Sequence, residues 1–381
     1  MSGISGSERY LMDILPALKK RNIDASFLVL QNKNSNEKNI DFINELKSKS
    51  VPVFVLNSYF LFSPILLCKF LRIIKNNHFN ILHTNLIHAD LIGAFIKKFF
   101  YPRIKILSTK HGYSERFQSK YSFDHTKIKP DIFYSVSKWA ALYADRVVCI
   151  SKSLENFYKN SKIVKPHKLS TIPYGFDFDG HPNVDEKAEF NFGYPQLIVT
   201  GRLEPVKQHH LLLEILPALK EKFPSMSVVM VGDGTLSHSL QKLSVELGID
   251  SFVHWVGFQI NVHPYISNSD VMIVPSRSEG FGLVILEAWY HAKPVIGFDV
   301  PALCDIVETG KDGILVEPFK KDELLNAIIE MLSVDQQIER FGKSGQIKQK
   351  ELYSLNKMVE STINALSHLI NDDAKKSIKT N

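Results

Sequence analysis

Val271-Met272-Ile273-Val274-Pro275-Ser276-Arg277-Ser278-Glu279-Gly280-Phe281-Gly282-Leu283-Val284-Ile285-Leu286-Glu287-Ala288 reads as an apolar strand, a glycine-bearing turn and the opening of a helix. That order is the repeating unit of an α/β protein, in which ligands bind beyond the carboxyl ends of the strands. Glu279 falls at that edge, and Gly280 and Gly282 let the backbone approach a ligand closely. The first-turn N–H groups and the helix dipole suit an anion such as phosphate. Glu287 lies deeper and can accept from the hydroxyls of a ribose. The plainer alternative is a capped helix carrying two surface acids.

Upstream, Thr200-Gly201-Arg202-Leu203-Glu204-Pro205-Val206-Lys207 ends a second strand in a glycine followed by two cations. Arginine offers a planar fork of donors and lysine a mobile point charge, so together they can neutralise a departing diphosphate. Solvated loop cations are the alternative. Val231-Gly232-Asp233-Gly234 is a third strand-to-turn junction, and by itself ordinary turn chemistry.

Strands are expected over Gln196–Thr200, Ser227–Val231, Phe252–Val256, Val271–Val274 and Pro294–Gly297, with helices between them. The first half repeats the pattern: strands over Ala25–Leu30, Val51–Leu56, Ile104–Thr109 and Arg146–Ile150, helices over Ser7–Arg21, Pro64–Asn76 and His88–Phe99. Ser5 and Glu8 spell a capping box for the first helix. The expected architecture is two Rossmann-like domains facing each other across a cleft. Their limits are 1–178 for an acceptor-binding domain, 179–193 for a linker and 194–350 for a nucleotide-binding domain. A helix over 351–370 returns to the first domain, ahead of a disordered tail over 371–381. The start departs from the pattern, because Met1 leads directly into the turn Gly3-Ile4-Ser5-Gly6 and its helix. The opening strand is missing, and one encoded just upstream would supply it.

Hydrophobic residues make up 44% of the 381 residues and charged residues 23%, which excludes a disordered or fibrous chain. Cys68, Cys149 and Cys304 stand alone, without metal-ligand or disulfide spacing. No secretory signal or uninterrupted apolar span is visible, so a cytoplasmic protein is expected, peripheral at the membrane at most. Residues 1–175 hold 27 Lys/Arg against 12 Asp/Glu, whereas the remainder holds 19 against 28. A basic half of this kind attracts anionic lipid or phosphorylated partners. Nucleic acid is not expected, since no RNP aromatics, zinc pattern or helix-turn-helix signature accompanies the charge.

Taken in order, the glycine-rich first turn, Gly-Arg-x4-Lys, Gly-Asp-Gly and Glu-x7-Glu resemble the family 4 glycosyltransferases, over nearly the whole chain. The resemblance implies the GT-B fold and a retaining, metal-independent transfer of a hexose-type sugar from a nucleotide-diphosphate donor. It places Arg202 and Lys207 on the donor phosphates, Gly282 and Leu283 at the phosphate site, Glu287 on the ribose and Glu279 on the donor sugar. Gly3 and Gly6 would reach the donor from the first domain. His111, in Thr109-Lys110-His111-Gly112, matches the position where relatives present a histidine to the donor sugar. His83 and His88 are candidates for acceptor or sugar contacts. No cofactor is expected, and Asp177-Phe178-Asp179, although it spells the manganese-binding DxD of other glycosyltransferases, lies away from the phosphate motifs.

The basic half would hold the acceptor, a glycan or lipid-linked intermediate of polysaccharide or lipopolysaccharide synthesis. Its aromatic, cationic segments Phe60–Ile74 and Phe95–Lys105 suggest a surface resting on anionic lipid. A core-facing helix with a snorkelling lysine explains the first of them equally well. Two rivals share the donor site: a nucleotide-sugar epimerase on the same fold, and a non-catalytic binding subunit.

Overall fold

The computed structural model describes residues 6–32, 40–60, 62–178 and 192–378, the side chains of 32, 40, 41 and 371–378 excepted. The chain divides into two units. Unit 1 comprises Met1–Tyr113, Asp124–Tyr174 and Leu355–Asn381, and unit 2 comprises Ser114–Phe123 and Gly175–Ser354.

In unit 1 the strands are β1 (Phe27–Asn32), β2 (Val53–Ser58), β3 (Ile81–Thr84), β4 (Lys105–Lys110), β5 (Arg146–Cys149) and β6 (Leu169–Thr171). They form two parallel sheets, β1-β2 and β3-β4-β5-β6. Between them run α1 (Gly6–Lys20), α2 (Ile40–Ser48), α3 (Pro64–Asn76), α4 (Ile87–Phe99), α5 (Glu115–Tyr121), α6 (Ile132–Tyr143) and α7 (Lys152–Asn160), although α5 belongs to unit 2. Parallel neighbours require such crossovers. Helix α1 buries Leu11, Ile14, Leu15 and Leu18, one stripe at helical spacing. Side-chain caps start three of the others: Ser114 accepts from the Phe117 N–H, Asp131 from Tyr134 and Ser151 from Leu154.

Unit 2 contains β7 (Gln196–Thr200), β8 (Ser227–Val231), β9 (Val253–Gly257), β10 (Val271–Val274), β11 (Val295–Phe298) and β12 (Gly313–Val316), paired in the order β12-β11-β10-β7-β8-β9. Its helices are α8 (His209–Lys222), α9 (Ser237–Glu246), α10 (His263–Ser267), α11 (Leu283–Tyr290), α12 (Leu303–Ile306), α13 (Lys321–Ser333) and α14 (Gln337–Leu352). Strands β7, β8, β10 and β11 are buried at every position, as parallel strands covered on both faces should be. The chain runs outward from β7 through β8 to β9, then returns to β10 on the other side of β7. The order reverses between β7 and β10, which makes their carboxyl ends the switch point of the sheet.

The final helix, α15 (Leu355–Ile378), joins unit 1 and continues past Ile370, where the sequence pattern loses its apolar residues. Two further differences from the sequence expectation have physical causes. Strands β1 and β2 begin and end two residues later than their apolar runs, because the ladder pairs Gln31 with Asn57 and Asn32 with Ser58 through the backbone alone. The first domain does not run unbroken to residue 178: α5 leaves it, and the passage to unit 2 falls at Tyr174/Gly175. The linker expected over 179–193 lies almost wholly outside the described residues, as do Gly3 and Ser5. Among the described residues no helix is long and apolar enough to cross a membrane.

Candidate functional site

The two motifs of unit 2 meet at the switch point. Beyond β7 the chain turns at Gly201, forms a short 3-10 turn over Pro205–Lys207 and enters α8. Beyond β10 it passes Ser276 and Glu279 before Gly282, at φ +94°, starts α11. A Cβ on Gly282 would sit 2.9 Å from the Ile285 Cδ1, so both the backbone angle and the space call for glycine. Because β7 and β10 are neighbours, Lys207 and Glu279 face each other although 72 positions apart, with Nζ–Oε1 at 2.6 Å. Their side chains are 19% and 11% exposed. The Ser276 hydroxyl donates to the same carboxylate oxygen at 2.7 Å, and the Arg277 N–H donates to the Val206 carbonyl at 2.8 Å, joining the two loops.

Gly-Asp-Gly serves this arrangement from below. A Cβ on Gly232 would lie 1.9 Å from the Gly201 carbonyl oxygen, and one on Gly234 would lie 2.5 Å from that of Leu203. The Gly201 N–H donates to Val231 at 2.9 Å, and the Leu203 N–H to Asp233 at 3.0 Å. The third motif is therefore the seat on which the cationic loop rests. Arg202 itself is exposed and reaches Glu115 of α5 at 3.3 Å, while Arg277 donates to the Lys120 carbonyl at 2.9 Å. An exposed pair of this geometry contributes little and leaves the guanidinium free to move.

Leu283 opens α11, so its N–H belongs to a helix start without a side-chain cap. Glu287 lies further along the same helix and is 6% exposed. Ser278 is buried, and its hydroxyl has no hydrogen-bond partner among the described residues. A donor buried beside a charged pair is matched only by a ligand or water. Neither Ser276 nor Ser278 carried a sequence signal beyond lying within three residues of Glu279, and α5 carried none.

The histidines lie in unit 1, at the carboxyl ends of its strands. Around His111 the imidazole Nδ1 contacts the Tyr174 hydroxyl and Nε2 contacts the Asn85 side chain at 3.1 Å. The Tyr10 ring lies 5.3 Å away. His83 Nε2 meets the Thr109 hydroxyl at 2.7 Å. Burial, then the neighbouring His83, pushes the His111 imidazole down to about 3. Burial also lowers His83 to about 4 against the opposing charge of Asp90. Both rings are neutral at pH 7. Their support is a buried network the motifs did not announce, in which Lys110 pairs with Asp90 and the Thr84 and Ser108 hydroxyls donate to that carboxylate at 2.5 and 2.7 Å. His88 stands apart from this cluster, exposed on α4. Gly6 is the first residue of α1. Phe178 is buried against His263 and Tyr290, and Asp179 lies outside the described residues.

Two family models match the chain, Glycosyltransferase Family 4 over residues 4–179 and Glycosyl transferases group 1 over residues 182–348. EpsD of Bacillus subtilis is 24% identical over 254 residues, which are 64% of this chain and 66% of that protein, just under two thirds of its length. The UDP-Gal:alpha-D-GlcNAc-diphosphoundecaprenol alpha-1,3-galactosyltransferase of Escherichia coli is 24% identical over 68% of each chain. Anabaena HepE, solved in complex with UDP, superposes with a TM-score of 0.77 at 20% identity, covering 97% of this chain and 98% of that one. With two Rossmann-like units and both family models spanning them in sequence order, the chain belongs to the family 4 glycosyltransferases and has their GT-B fold.

Proposed function

We propose that unit 2 binds a nucleoside-diphosphate sugar at the β7/β10 switch point. The protein then transfers the hexose, with retention and without a bound metal, to a lipid- or polysaccharide-linked acceptor at a membrane surface. The observation that carries this reading is the Lys207–Glu279 pair at the carboxyl edge. Without donor, each group neutralises the other. A diphosphate arriving at the start of α11 competes for Lys207, and Glu279, released, accepts from a hydroxyl of the donor sugar. Arg202 can swing from Glu115 to the same phosphates. In the transfer, the bond between the anomeric carbon and the phosphate oxygen breaks with its electron pair leaving on the diphosphate. The acceptor oxygen bonds to that carbon on the same face, and its proton passes to the departing phosphate. Lys207 and Arg202 stabilise the charge that grows there, which is the role a metal would otherwise fill.

HepE has been solved with UDP and with UDP-glucose, and the E. coli relative is named for a diphosphoundecaprenol acceptor. Both support a nucleotide-sugar donor and a lipid-linked acceptor for this chain. The membrane part rests on unit 1, where Phe60, Phe62, Ile65, Phe99 and Phe100 are exposed at 77, 43, 68, 55 and 49%. The rings of Phe62 and Phe99 converge on Phe95 at 5.2 and 4.8 Å. Helix α3 meanwhile keeps Leu66, Leu67, Phe70 and Ile74 for the core. An aromatic patch with the Lys98 ammonium over the Phe99 ring, 4.9 Å from its centroid, suits an anionic interface, where each nearby cation contributes about 1 kcal/mol.

The test is a thermal-shift series with UDP-, GDP- and ADP-sugars in EDTA, followed by product analysis with a membrane extract and assignment of the anomeric configuration by NMR. Stabilisation by one donor together with a retained-configuration product is the expected result. Stabilisation without transfer would favour the epimerase or the non-catalytic subunit. An inverted product would overturn retention, and loss of activity in EDTA would overturn the metal-independent mechanism.

A further inference from the structure

Strands β3 and β4 carry two separate sets of polar side chains, one on each face. His83 pairs with Leu107 in the ladder, and Thr109 follows Leu107 by two, so His83 and Thr109 project from one face. On the other, Thr84, Ser108 and Lys110 meet Asp90 of α4. The face of His83 and Thr109 meets α1 and α15. Tyr10 of α1 sets its ring edge-on to His83, with 6.5 Å between centroids, and its hydroxyl hydrogen-bonds to the side chains of Thr109 and of Thr362 in α15. Tyr10, Thr109 and Thr362 are all buried, and buried hydroxyls satisfy their donors within the protein.

The hydrogen bonds between these groups run in one direction, because each hydroxyl has a single proton to give. The Thr362 hydroxyl donates to the Met358 carbonyl at 2.8 Å, so towards Tyr10 it accepts. Burial pushes the Tyr10 phenol up to about 12, which keeps its proton in place to donate to Thr362. Towards Thr109, Tyr10 therefore accepts. The Thr109 proton is spent on Tyr10, and the Thr109 oxygen, 2.7 Å from His83 Nε2, accepts from that nitrogen. A neutral imidazole has one N–H, so His83 carries it on Nε2 and its Nδ1 is a bare lone pair. At His111 both nitrogens are occupied: Asn85 Oδ1 accepts from Nε2 at 3.1 Å, and the Tyr174 hydroxyl donates to Nδ1. His83 makes its one hydrogen bond among the described residues through Nε2. Its ring is partly exposed at the carboxyl end of β3, the edge at which α/β sheets receive ligands.

We propose that Thr362, Tyr10 and Thr109 form a positioning relay that fixes His83 as its Nε2–H tautomer, so that Nδ1 accepts a hydrogen bond from a sugar hydroxyl of the substrate. The ligand's identity rests on the transferase reading above, the tautomer on the hydrogen-bond chain alone. The group recognised is a donor, since a phosphate or carboxylate would meet a lone pair with a lone pair. The returning helix α15 thereby acts on the site as well as on the packing of unit 1, because it supplies the carbonyl on which the chain of donors ends.

The experiment reads the ring nitrogen-15 shifts of His83 in the full chain labelled at histidine, with His83→Gln to assign the signals, alongside kcat and KM. The unaltered protein should show Nε2 protonated and Nδ1 bare. Thr362→Val removes the acceptor for Tyr10, which turns the Tyr10 and Thr109 hydroxyls round and moves the His83 proton to Nδ1. The ratio kcat/KM should then fall at least about tenfold, and Thr362→Ser, which keeps the hydroxyl, should restore both the shifts and the ratio. Tyr10→Phe breaks the same chain one step earlier and should have the same effect. A protonated Nδ1 in the unaltered protein would overturn the proposal. So would folded Thr362→Val and Tyr10→Phe proteins with unchanged tautomer and unchanged kcat/KM, whatever their melting temperatures, since that is a structural tie only. The tautomer is read without turnover, so the expected shifts in a protein that transfers no sugar would refute the transferase reading and support the relay. Titration with UDP-, GDP- and ADP-glucose, each against its free nucleotide, and with a chloroform–methanol extract of membranes identifies the hydroxyl. Movement of Nδ1 with a sugar nucleotide but not its nucleotide assigns the hydroxyl to the donor, and movement with the extract alone assigns it to the acceptor. An unmoved Nδ1 while transfer proceeds would overturn the substrate contact.

Discussion

Removing the Lys207 ammonium tests stability and catalysis at once, because the site predicts different sizes for the two effects. Lys207 and Glu279 lie 2.6 Å apart with little exposure, so Lys207→Ala leaves a mostly desolvated carboxylate whose remaining donor is the Ser276 hydroxyl. Breaking a fully buried pair from one side costs about 3–5 kcal/mol. Partial solvent access here reduces that to about 2 kcal/mol. The double variant Lys207→Ala/Glu279→Ala should recover much of this loss, giving a coupling energy of about 1 kcal/mol in a cycle of urea denaturations. Activity should behave oppositely. A cation aimed at the departing phosphate stabilises the transition state by about 3–4 kcal/mol, so kcat in single turnover should fall on the order of 100- to 1000-fold. The double variant should show no recovery of turnover, since neither charge returns. A Lys207→Ala protein destabilised as expected but within threefold of normal turnover would reduce the pair to a structural tie and refute the donor assignment.

His111 and His83 are held neutral, with values near 3 and 4 against an ordinary 6.5. Between pH 6.5 and 4 the unfolded chain binds protons that the native state refuses. The stability the two rings contribute is complete above pH 6.5 and falls with pH, by at most about 1.4 kcal/mol per unit for each ring. Urea midpoints measured across that range should slope downward towards acid, and His111→Phe should flatten the slope by up to half. Gly232→Ala, whose Cβ would meet the Gly201 carbonyl at 1.9 Å, should displace the Arg202–Lys207 loop. It is expected to cost about 3 kcal/mol, with donor affinity falling at least about tenfold in calorimetry. The paired change Phe60→Asp/Phe99→Asp should abolish sedimentation with anionic vesicles and leave turnover on a soluble acceptor unchanged. Equal vesicle binding by both proteins would remove the membrane surface from the model of function.

The recurrence of strand, glycine turn and helix was legible residue by residue. The apolar runs of β7, β8 and β10 and the helical stripe of α1 are local patterns, and local patterns report the fold class. The same locality made Arg202, Lys207, Glu279 and Glu287 visible as candidates, since each sits within a few residues of a strand end. What locality cannot carry is adjacency. Lys207 meets Glu279 because β10 returns to pair with β7, a choice made by packing helices on both faces of the sheet and not written near either residue. Asp90, Lys110, Thr84 and Ser108 looked like scattered polar residues until β3 paired with β4 and α4 covered them. The departure of α5 to unit 2, where Glu115 and Lys120 meet Arg202 and Arg277, likewise depends on contacts about 90 to 160 positions distant along the chain. Periodicity is imposed by the backbone on each short segment by itself, and the sequence therefore shows it. Which segments touch is decided by the free energy of burying all of them together, and that appears only in the folded structure.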